Sequence, residues 1–178
     1  MENQTNQTNP LSIDLLRSIA YTQFVGDDFF EFEGTYFRGS LEDLEIENPS
    51  FDDIQEYFEE IEPLSGDDFD NFLVLTDEEA DEKARREIEN TVWAFNASFI
   101  IEHSKLPYEA EEMVKAFQER CEGANDTLLA LIEDLDEFVE DAISADGRGH
   151  FLSPYDGDEN EETVTVGDQM ETFYIYRQ

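Results

Sequence analysis

The sequence predicts an α+β fold, in which three to four packed helices are combined with short strands near both ends of the chain. Apolar residues recur at helical spacing in several segments, which predicts amphipathic helices. Rings alternate with polar residues around residues 29–38, and the runs TVTV and FYIYR occur near residue 170, which predicts strands. Aromatic residues make up 13% of the 178 residues, so the chain can build a core in spite of a net charge of −37.

The domain organisation is predicted to be simple. Residues 1–10 are polar and should form a flexible tail, and residues 11–178 should form a single acidic α+β domain. The sequence leaves open a boundary between two subdomains near residue 75 or residue 144.

The first predicted elements are a helix and a hairpin. Leu11, Leu15 and Ile19 have helical spacing. The segment DDFFEFEGTYFRGS then alternates rings with charged residues, which predicts a hairpin that turns at Glu33-Gly34.

A second helix is predicted over residues 50–62. Ser50 can cap it together with Asp53, and Pro63 ends it. Its apolar stripe is Phe51, Ile54, Phe58 and Ile61. Six carboxylates then lack a basic partner in their own helix, namely Asp52, Asp53, Glu56, Glu59, Glu60 and Glu62.

Longer helices are predicted in the middle of the chain. The run FLVL is either a buried strand or the start of the next helix. The capping box Thr76–Glu79 opens a helix over residues 77–103, and further helices follow over 107–122 and 127–144. Cys121 is expected on the inward face of the second of these, as a small core residue. Gly123 ends that helix, and Asn125 or Asp126 caps the next.

The charge lies in blocks along the sequence. Residues 27–82 carry 22 acidic residues and one basic residue, Arg38. Residues 83–120 are nearly balanced in charge, with 7 acidic and 6 basic residues. Residues 122–178 carry 16 acidic and 2 basic residues. A surface this acidic repels nucleic acid and anionic membranes, because binding to phosphates requires Lys and Arg. It favours a basic protein as partner.

An acidic helix supported by aromatic residues could present a rigid imitation of a nucleic-acid backbone. Carboxylates three or four positions apart on a helix lie about 5–6 Å from one another, which is of the same order as phosphates along a strand. Twelve residues are therefore predicted to bind the partner as phosphate mimics: Asp27, Asp28, Glu31, Glu33, Asp52, Asp53, Glu56, Glu59, Glu60, Asp67, Asp68 and Asp70.

Catalytic motifs are not found in the sequence, and no cofactor is predicted. His103 and His150 lack the HExxH spacing of a zinc site, and neither a P-loop nor a GxSxG motif occurs. Asp156, Asp158 and Asn160 match positions one, three and five of a calcium loop. Glu161 and Gly167 then replace the Gly and the Glu that such a loop requires, so these residues indicate at most adventitious cation binding.

The segment DGRGHFLSPYDG, residues 146–157, contains glycines and a proline that predict a tight loop or the turn of a terminal hairpin. Together with DENEE and FYIYR it resembles segments of small uncharacterised phage and plasmid proteins, over about residues 146–178. The resemblance implies an origin in a mobile element and transfers no functional residue. In physical class, though not in homology, the whole chain resembles the DNA-mimic inhibitors that phages and plasmids encode.

The sequence therefore predicts a non-enzymatic DNA mimic that blocks a host defence complex, either a CRISPR effector or a restriction enzyme, by steric and electrostatic competition. One alternative is an acidic interaction or chaperone module for a basic cellular protein. Another is an ordinary domain adapted to high salt. The polar start of the sequence and the absence of 18 consecutive apolar residues predict a cytoplasmic protein, in the host cytoplasm if a phage encodes it.

Overall fold

The computed structural model describes residues 10–178, so residues 1–9 of the predicted tail lie outside the described part of the chain. Within that part there are eight α-helices and two three-stranded sheets, which confirms the α+β class. The prediction of three to four helices with strands only near the ends is wrong, because the helices are shorter and strands also lie at residues 59–60 and 72–75.

The chain divides into two compact units. The first unit consists of residues up to Asp77 together with Asn160–Tyr176, and the second of Glu78–Glu159 together with Arg177–Gln178. No helix in the described residues is both long enough and apolar enough to cross a membrane.

The first unit contains two small sheets and two helices. In chain order its elements are α1 (Ile13–Phe24), β1 (Phe29–Phe32), β2 (Thr35–Arg38), α2 (Phe51–Tyr57), β3 (Glu59–Glu60), β4 (Phe72–Leu75), β5 (Asn160–Val166) and β6 (Gln169–Arg177). The strands pair in the orders β1-β2-β3 and β4-β6-β5. Helix α1 contacts β5, β4 and β1.

The predicted hairpin is confirmed. Glu33 and Gly34 have φ values of 51° and 83°, as expected for a tight turn whose two central residues are both left-handed. The two faces of the hairpin enter different cores. Phe30 and Phe37 pack against α2, whereas Tyr36 packs against the residues around α1.

The helix predicted over residues 50–62 ends at Tyr57. Its capping box at Ser50 and Asp53 is confirmed, but Phe58 is extended, with φ −123° and ψ 144°. Glu59 and Glu60 then form β3, paired with β2, and the N–H of Ile61 donates to the carbonyl of Tyr36 at 2.8 Å.

The reason for the early end is that the predicted apolar stripe serves two cores. Phe51, Ile54 and Phe58 pack on one face of the first sheet, whereas Ile61 joins the core around α1. A continuous helix would place all four on one face. Glu59 and Glu60 therefore belong to a strand, and the predicted helix with six carboxylates is wrong.

The run FLVL is a strand, so the first of its two interpretations is correct. Leu73, Val74 and Leu75 are buried in β4. The larger of the two cores of the first unit combines α1 with strands from both sheets, and its buried members are Leu16, Ile19, Ala20, Tyr36, Ile61, Phe69, Val74, Val164, Phe173 and Ile175.

The second unit is helical. Its elements are α3 (Asp77–Asn90), α4 (Ala97–Glu102), α5 (Glu111–Gln118), α6 (Asn125–Leu129), α7 (Leu135–Asp146) and α8 (Arg148–Leu152). Each of the three long helices predicted here is interrupted. A 3-10 turn over Val92–Ala94 separates α3 from α4, and the side chain of Asn125 stabilises this break by donating to Glu89 and accepting from Trp93.

The helices predicted over 107–122 and 127–144 are shorter for related reasons. Helix α5 ends at Gln118, so the helical phase is lost before Cys121, which is exposed with φ 51° instead of buried. Asp134 caps α7 by accepting from the N–H groups of Asp136 and Glu137, which separates α7 from α6.

The glycine-rich segment 146–157 forms the short helix α8 and a turn, not the turn of a terminal hairpin. Gly149 is buried, and a Cβ placed on it would lie 2.3 Å from the carbonyl oxygen of Gly157. Arg148 pairs with Asp81 at 2.8 Å and with Glu159 at 2.9 Å. The hydroxyl of Ser153 donates to Asp156 at 2.7 Å. Gly149 therefore permits close packing of backbone on backbone, whereas Gly147 and Gly157 have positive φ values of 78° and 76°.

Replacing Gly149 with Ala should destabilise the protein, because the added methyl group would collide with the backbone at Gly157. Backbone atoms cannot move out of the way as the end of a flexible side chain could. We expect a loss of about 1–3 kcal/mol in the free energy of unfolding. Gly123→Ala is the matched control, because nothing lies within 4 Å of a Cβ there. Urea unfolding of both variants measures the difference, and equal stability would contradict the packing at Gly149.

Candidate functional site

The twelve predicted partner-binding residues all lie in the first unit, on four segments. Asp27, Asp28, Glu31 and Glu33 belong to the hairpin and the loop before it. Asp52, Asp53 and Glu56 lie on α2, Glu59 and Glu60 form β3, and Asp67, Asp68 and Asp70 lie in the loop before β4.

Several of these carboxylates are engaged within the chain. Asp53 accepts hydrogen bonds from the hydroxyl of Ser50 at 2.6 Å and from its N–H at 2.8 Å. The hydrogen bond from the Ser50 hydroxyl makes the larger contribution and the bond from its N–H the smaller one. Together they hold the pKa of Asp53 below its usual range. Asp27 lies 3.7 Å from Arg38.

Three more of the twelve have partners. Glu31 accepts from the N–H of Gly34 at 2.8 Å, and Asp68 accepts from the hydroxyl of Ser65 at 2.5 Å. Asp67 also has an intramolecular interaction. These residues therefore have structural roles in addition to any role in binding.

The other seven carboxylates point into solvent. They are exposed, and within residues 10–178 their side chains make no hydrogen bond or ion pair: Asp28, Glu33, Asp52, Glu56, Glu59, Glu60 and Asp70. Asp52 and Glu56 are four positions apart on α2, so their side chains lie on the same side of that helix, about 5–6 Å apart.

A groove of about 650 Å³ brings together acidic residues from β3 and from the loop before β4. Its acidic lining consists of Glu59, Glu60, Glu62, Asp68 and Asp70, and its apolar lining of Ile61, Leu64 and Phe69. Tyr21, Ser18, Thr22 and Arg38 complete it. Four of the five carboxylates were predicted from the sequence, but their convergence was not.

Glu62 was recognised as a carboxylate without a basic partner but was not among the twelve residues predicted to bind the partner. The predicted helix gave it no position distinct from the other acids of that run. The groove forms because β3 leaves the helical path and pairs with β2, which is a contact between segments more than 20 residues apart.

The walls of the groove are anchored by buried contacts. The hydroxyl of Ser18, which is 4% exposed, accepts from the N–H of Leu64 at 3.1 Å. The carbonyl of Gly66 accepts from the N–H of Val74 at 3.0 Å. A Cβ on Gly66 would lie 2.7 Å from Leu75 and 2.9 Å from the carbonyl of Val74, so the acidic loop packs tightly on β4.

Basic residues are scarce in this unit. Residues 10–77 and 160–176 carry 23 acidic residues and two basic ones, Arg17 and Arg38. Arg17 is 2% exposed and pairs with Asp14 at 3.1 Å. Arg38, whose side chain is 40% exposed, is therefore the more accessible of the two cations in the described part of the first unit.

The second unit differs, because most of its basic residues pair with its acids. Residues 78–159 and 177–178 carry 23 acidic residues and eight basic ones. Arg85 contacts Asp136 and Glu89, and Asp136 in particular raises the pKa of Arg85. Lys115 pairs with Glu111 at 2.8 Å, and its pKa is raised by that contact. By formal charge, the described part of the first unit therefore carries −21 and the second unit −15.

Two of the three residues suggested for cation binding, Asp156 and Asn160, have side chains engaged in other contacts. Asp156 accepts from the hydroxyl of Ser153 and from the N–H of Asp158, and these bonds lower its pKa. The amide of Asn160 donates to the carbonyl of Ile175 at 3.3 Å. No group of three or more His, Cys, Asp or Glu side chains arranged to hold a metal ion is found among residues 10–178.

The Asp53 carboxylate should stabilise α2 in a pH-dependent way. Because its pKa is lower in the folded protein than in the unfolded chain, its contribution is present above the unfolded pKa, about 3.9, and is lost as the pH falls through the folded pKa. Asp53→Ala should therefore lower the melting temperature at pH 7 more than the control Asp52→Ala, which removes the same charge. The two variants should converge as the pH falls below the folded pKa of Asp53, and equal melting temperatures at pH 7 would contradict the capping role.

Comparison with known proteins adds no relative: no protein-family model, no curated protein and no solved structure matches this chain.

Proposed function

We propose that this protein inhibits a nucleic-acid-binding defence complex of a host, a CRISPR effector or a restriction enzyme, by occupying the basic surface that would otherwise bind DNA. The observation that supports this most is the ratio of 23 acidic to two basic residues in the described part of the first unit, combined with carboxylates that have no ion pair or hydrogen bond within residues 10–178. The inhibition needs no catalysis, because the protein competes with DNA for the same positive charges.

The arrangement of charge supports mimicry by several segments and not by one helix. Helix α2 has seven residues and is about 10 Å long, a length over which duplex DNA carries roughly six phosphates. Asp52 and Glu56 supply only two free carboxylates there. Glu59, Glu60 and Asp70 come from β3 and the following loop, so the imitation of a phosphate backbone extends over neighbouring elements of the first unit.

The aromatic residues explain how these charges stay in place before binding. Phe51 in α2 contacts Phe37 at a ring-centroid distance of 5.9 Å, and Phe58, which follows α2 directly, contacts Phe30 at 4.9 Å. A flexible polyanion would lose about 0.5–1.5 kcal/mol for each side chain that it orders on binding. Carboxylates on packed elements avoid part of that cost.

Association with a basic channel should be fast and sensitive to salt. Long-range attraction between opposite charges raises association rates, and it weakens as the Debye length falls to about 8 Å at physiological ionic strength. Any basic target would show this dependence on salt. A competition measurement against DNA is therefore needed to identify the target.

Adding the protein to CRISPR effectors and to restriction complexes should raise the apparent Kd for DNA, measured by fluorescence anisotropy. The variant Asp52→Lys with Glu56→Lys should weaken inhibition at least tenfold, which is about 1.4 kcal/mol. Glu119→Lys with Glu122→Lys is the matched control, because it makes the same change in charge at exposed positions of the second unit.

Three outcomes would contradict the proposal. Inhibition of none of these complexes would remove the proposed class of target. Equal weakening by both double variants would show that net charge acts without a defined surface. Binding to a basic protein that does not bind nucleic acid, such as an assembly partner, would favour an acidic chaperone instead.

A further inference from the structure

We propose that the groove of the first unit, lined by Glu59, Glu60, Glu62, Asp68 and Asp70, receives an arginine or lysine side chain that projects from the partner protein. The inference rests on the proposed function, because it names the chemistry with which the partner is recognised. It assigns to the groove a role that a featureless acidic surface would not have.

The groove combines two kinds of surface. Carboxylates form its acidic lining, and Ile61, Leu64 and Phe69 line it with apolar atoms. The rings of Tyr21 and Phe69 lie side by side, with centroids 4.8 Å apart. A surface built only to carry charge would not need an apolar lining.

Arginine and lysine side chains match both surfaces. Each has an apolar stem that can lie on aliphatic and aromatic atoms, and a charged end that requires acceptors. A guanidinium group forms paired hydrogen bonds with a carboxylate, and either cation is attracted to the face of an aromatic ring. A hydrated metal ion would use the carboxylates alone, and no group of three ligands arranged for a metal is present in residues 10–178.

The charge balance of the groove also requires a cation from outside. Arg38 is the one basic residue among those that line it, and its guanidinium lies 3.7 Å from Asp27. Glu59, Glu60, Glu62 and Asp70 make no ion pair within the described chain. Desolvating these carboxylates against a neutral partner would be costly, whereas a cation compensates them.

The size of the groove fits a side chain with part of its own backbone. Its volume of about 650 Å³ lies within the range of about 300–1,000 Å³ that is usual for ligand sites. The buried hydroxyl of Ser18 anchors the backbone at Leu64, and Gly66 fixes the acidic loop on β4. The walls are therefore formed without a ligand, which lowers the cost of binding.

The test uses a pentapeptide whose two termini are capped and therefore uncharged, acetyl-Gly-Gly-Arg-Gly-Gly-amide. It is titrated into the isotope-labelled full chain at about 150 mM salt. Shifts of backbone amide signals in two-dimensional NMR spectra give both the location and the Kd. We expect the shifts to centre on Leu64, Phe69 and Asp70. The same peptide with citrulline in place of arginine, which keeps the shape and removes the charge, should bind at least fivefold more weakly.

Matched variants separate the groove from general attraction. Glu60→Gln with Asp70→Asn should weaken peptide binding at least fivefold. Asp52→Asn with Glu56→Gln makes the same change in charge on α2, outside the groove, and should change the Kd less than twofold. All four positions are exposed, so both proteins are expected to fold, and their urea unfolding curves check this.

The outcomes decide between the alternatives. Equal weakening by both variants, shifts spread over all acidic segments, or equal binding of the citrulline peptide would overturn the inference. If spermidine bound the groove more tightly than the arginine peptide, the groove would be assigned to free polyamines. That result would also overturn the inference. Groove binding of the peptide without any competition against DNA would uphold the inference and contradict only the proposed function.

Discussion

Aromatic packing between the first sheet and α2 holds the acidic elements of the first unit together against the repulsion of their charges. Phe37 is fully buried and contacts the rings of Phe30 and Phe51, while Phe58 meets Phe30 edge to face. Burying one such side chain contributes about 1.5–3 kcal/mol, and a favourable ring pair adds about 0.5–1.5 kcal/mol. Two exposed carboxylates 6 Å apart repel each other by only about 0.7 kcal/mol in water, and less in salt. The rings therefore outweigh each local repulsion.

The same packing explains why the charges end up outside. In the hairpin, Phe30 and Phe32 lie on the face that packs against α2, whereas the carboxylates of Glu31, on the opposite face, and of Glu33, in the turn, remain exposed. In α2, Ile54 is buried while Asp52 and Glu56 are exposed. Acidity and aromatic content, which would oppose each other in an unfolded chain, become two faces of the same elements.

The features that the sequence predicted well are those set by neighbouring residues. The capping box of Ser50 with Asp53 and the turn at Glu33-Gly34 each depend on contacts within four residues, and both were correct. The class of fold followed from the periodicity of the helices and strands. The positions of Asp52, Glu56 and Asp70 on the surface followed from their charge.

The features that were missed depend on distant contacts. Helix α2 ends at Tyr57 because residues 59–61 pair with β2, and the break after α3 is stabilised by Asn125, 36 residues from Glu89. Neither contact leaves a local pattern. The groove was unpredictable for the same reason, since it needs the strand at Glu59–Glu60 and the packing of Gly66 on β4 at once.

The two units carry the same number of acidic residues in their described parts but differ in how many of these residues contact a basic side chain. In the second unit, Arg85, Lys115 and Arg148 each contact two carboxylates, as in an ordinary mixed surface. In the first unit, most acids of α2 and β3 have no such contact. An adaptation to high salt would be expected to act on the whole surface alike, so this asymmetry supports a partner for the first unit.

Phosphate mimicry by fixed carboxylates requires that the first unit is folded before any partner binds. Amide hydrogen exchange of the isolated protein in dilute buffer, at about 20 mM salt, measures this. We expect strong protection of the amides of the buried residues Phe37, Ile54 and Val74 under these conditions. Exchange of these amides at the rate of an unfolded chain, with protection recovered only in molar salt, would contradict it and favour a protein adapted to high salt.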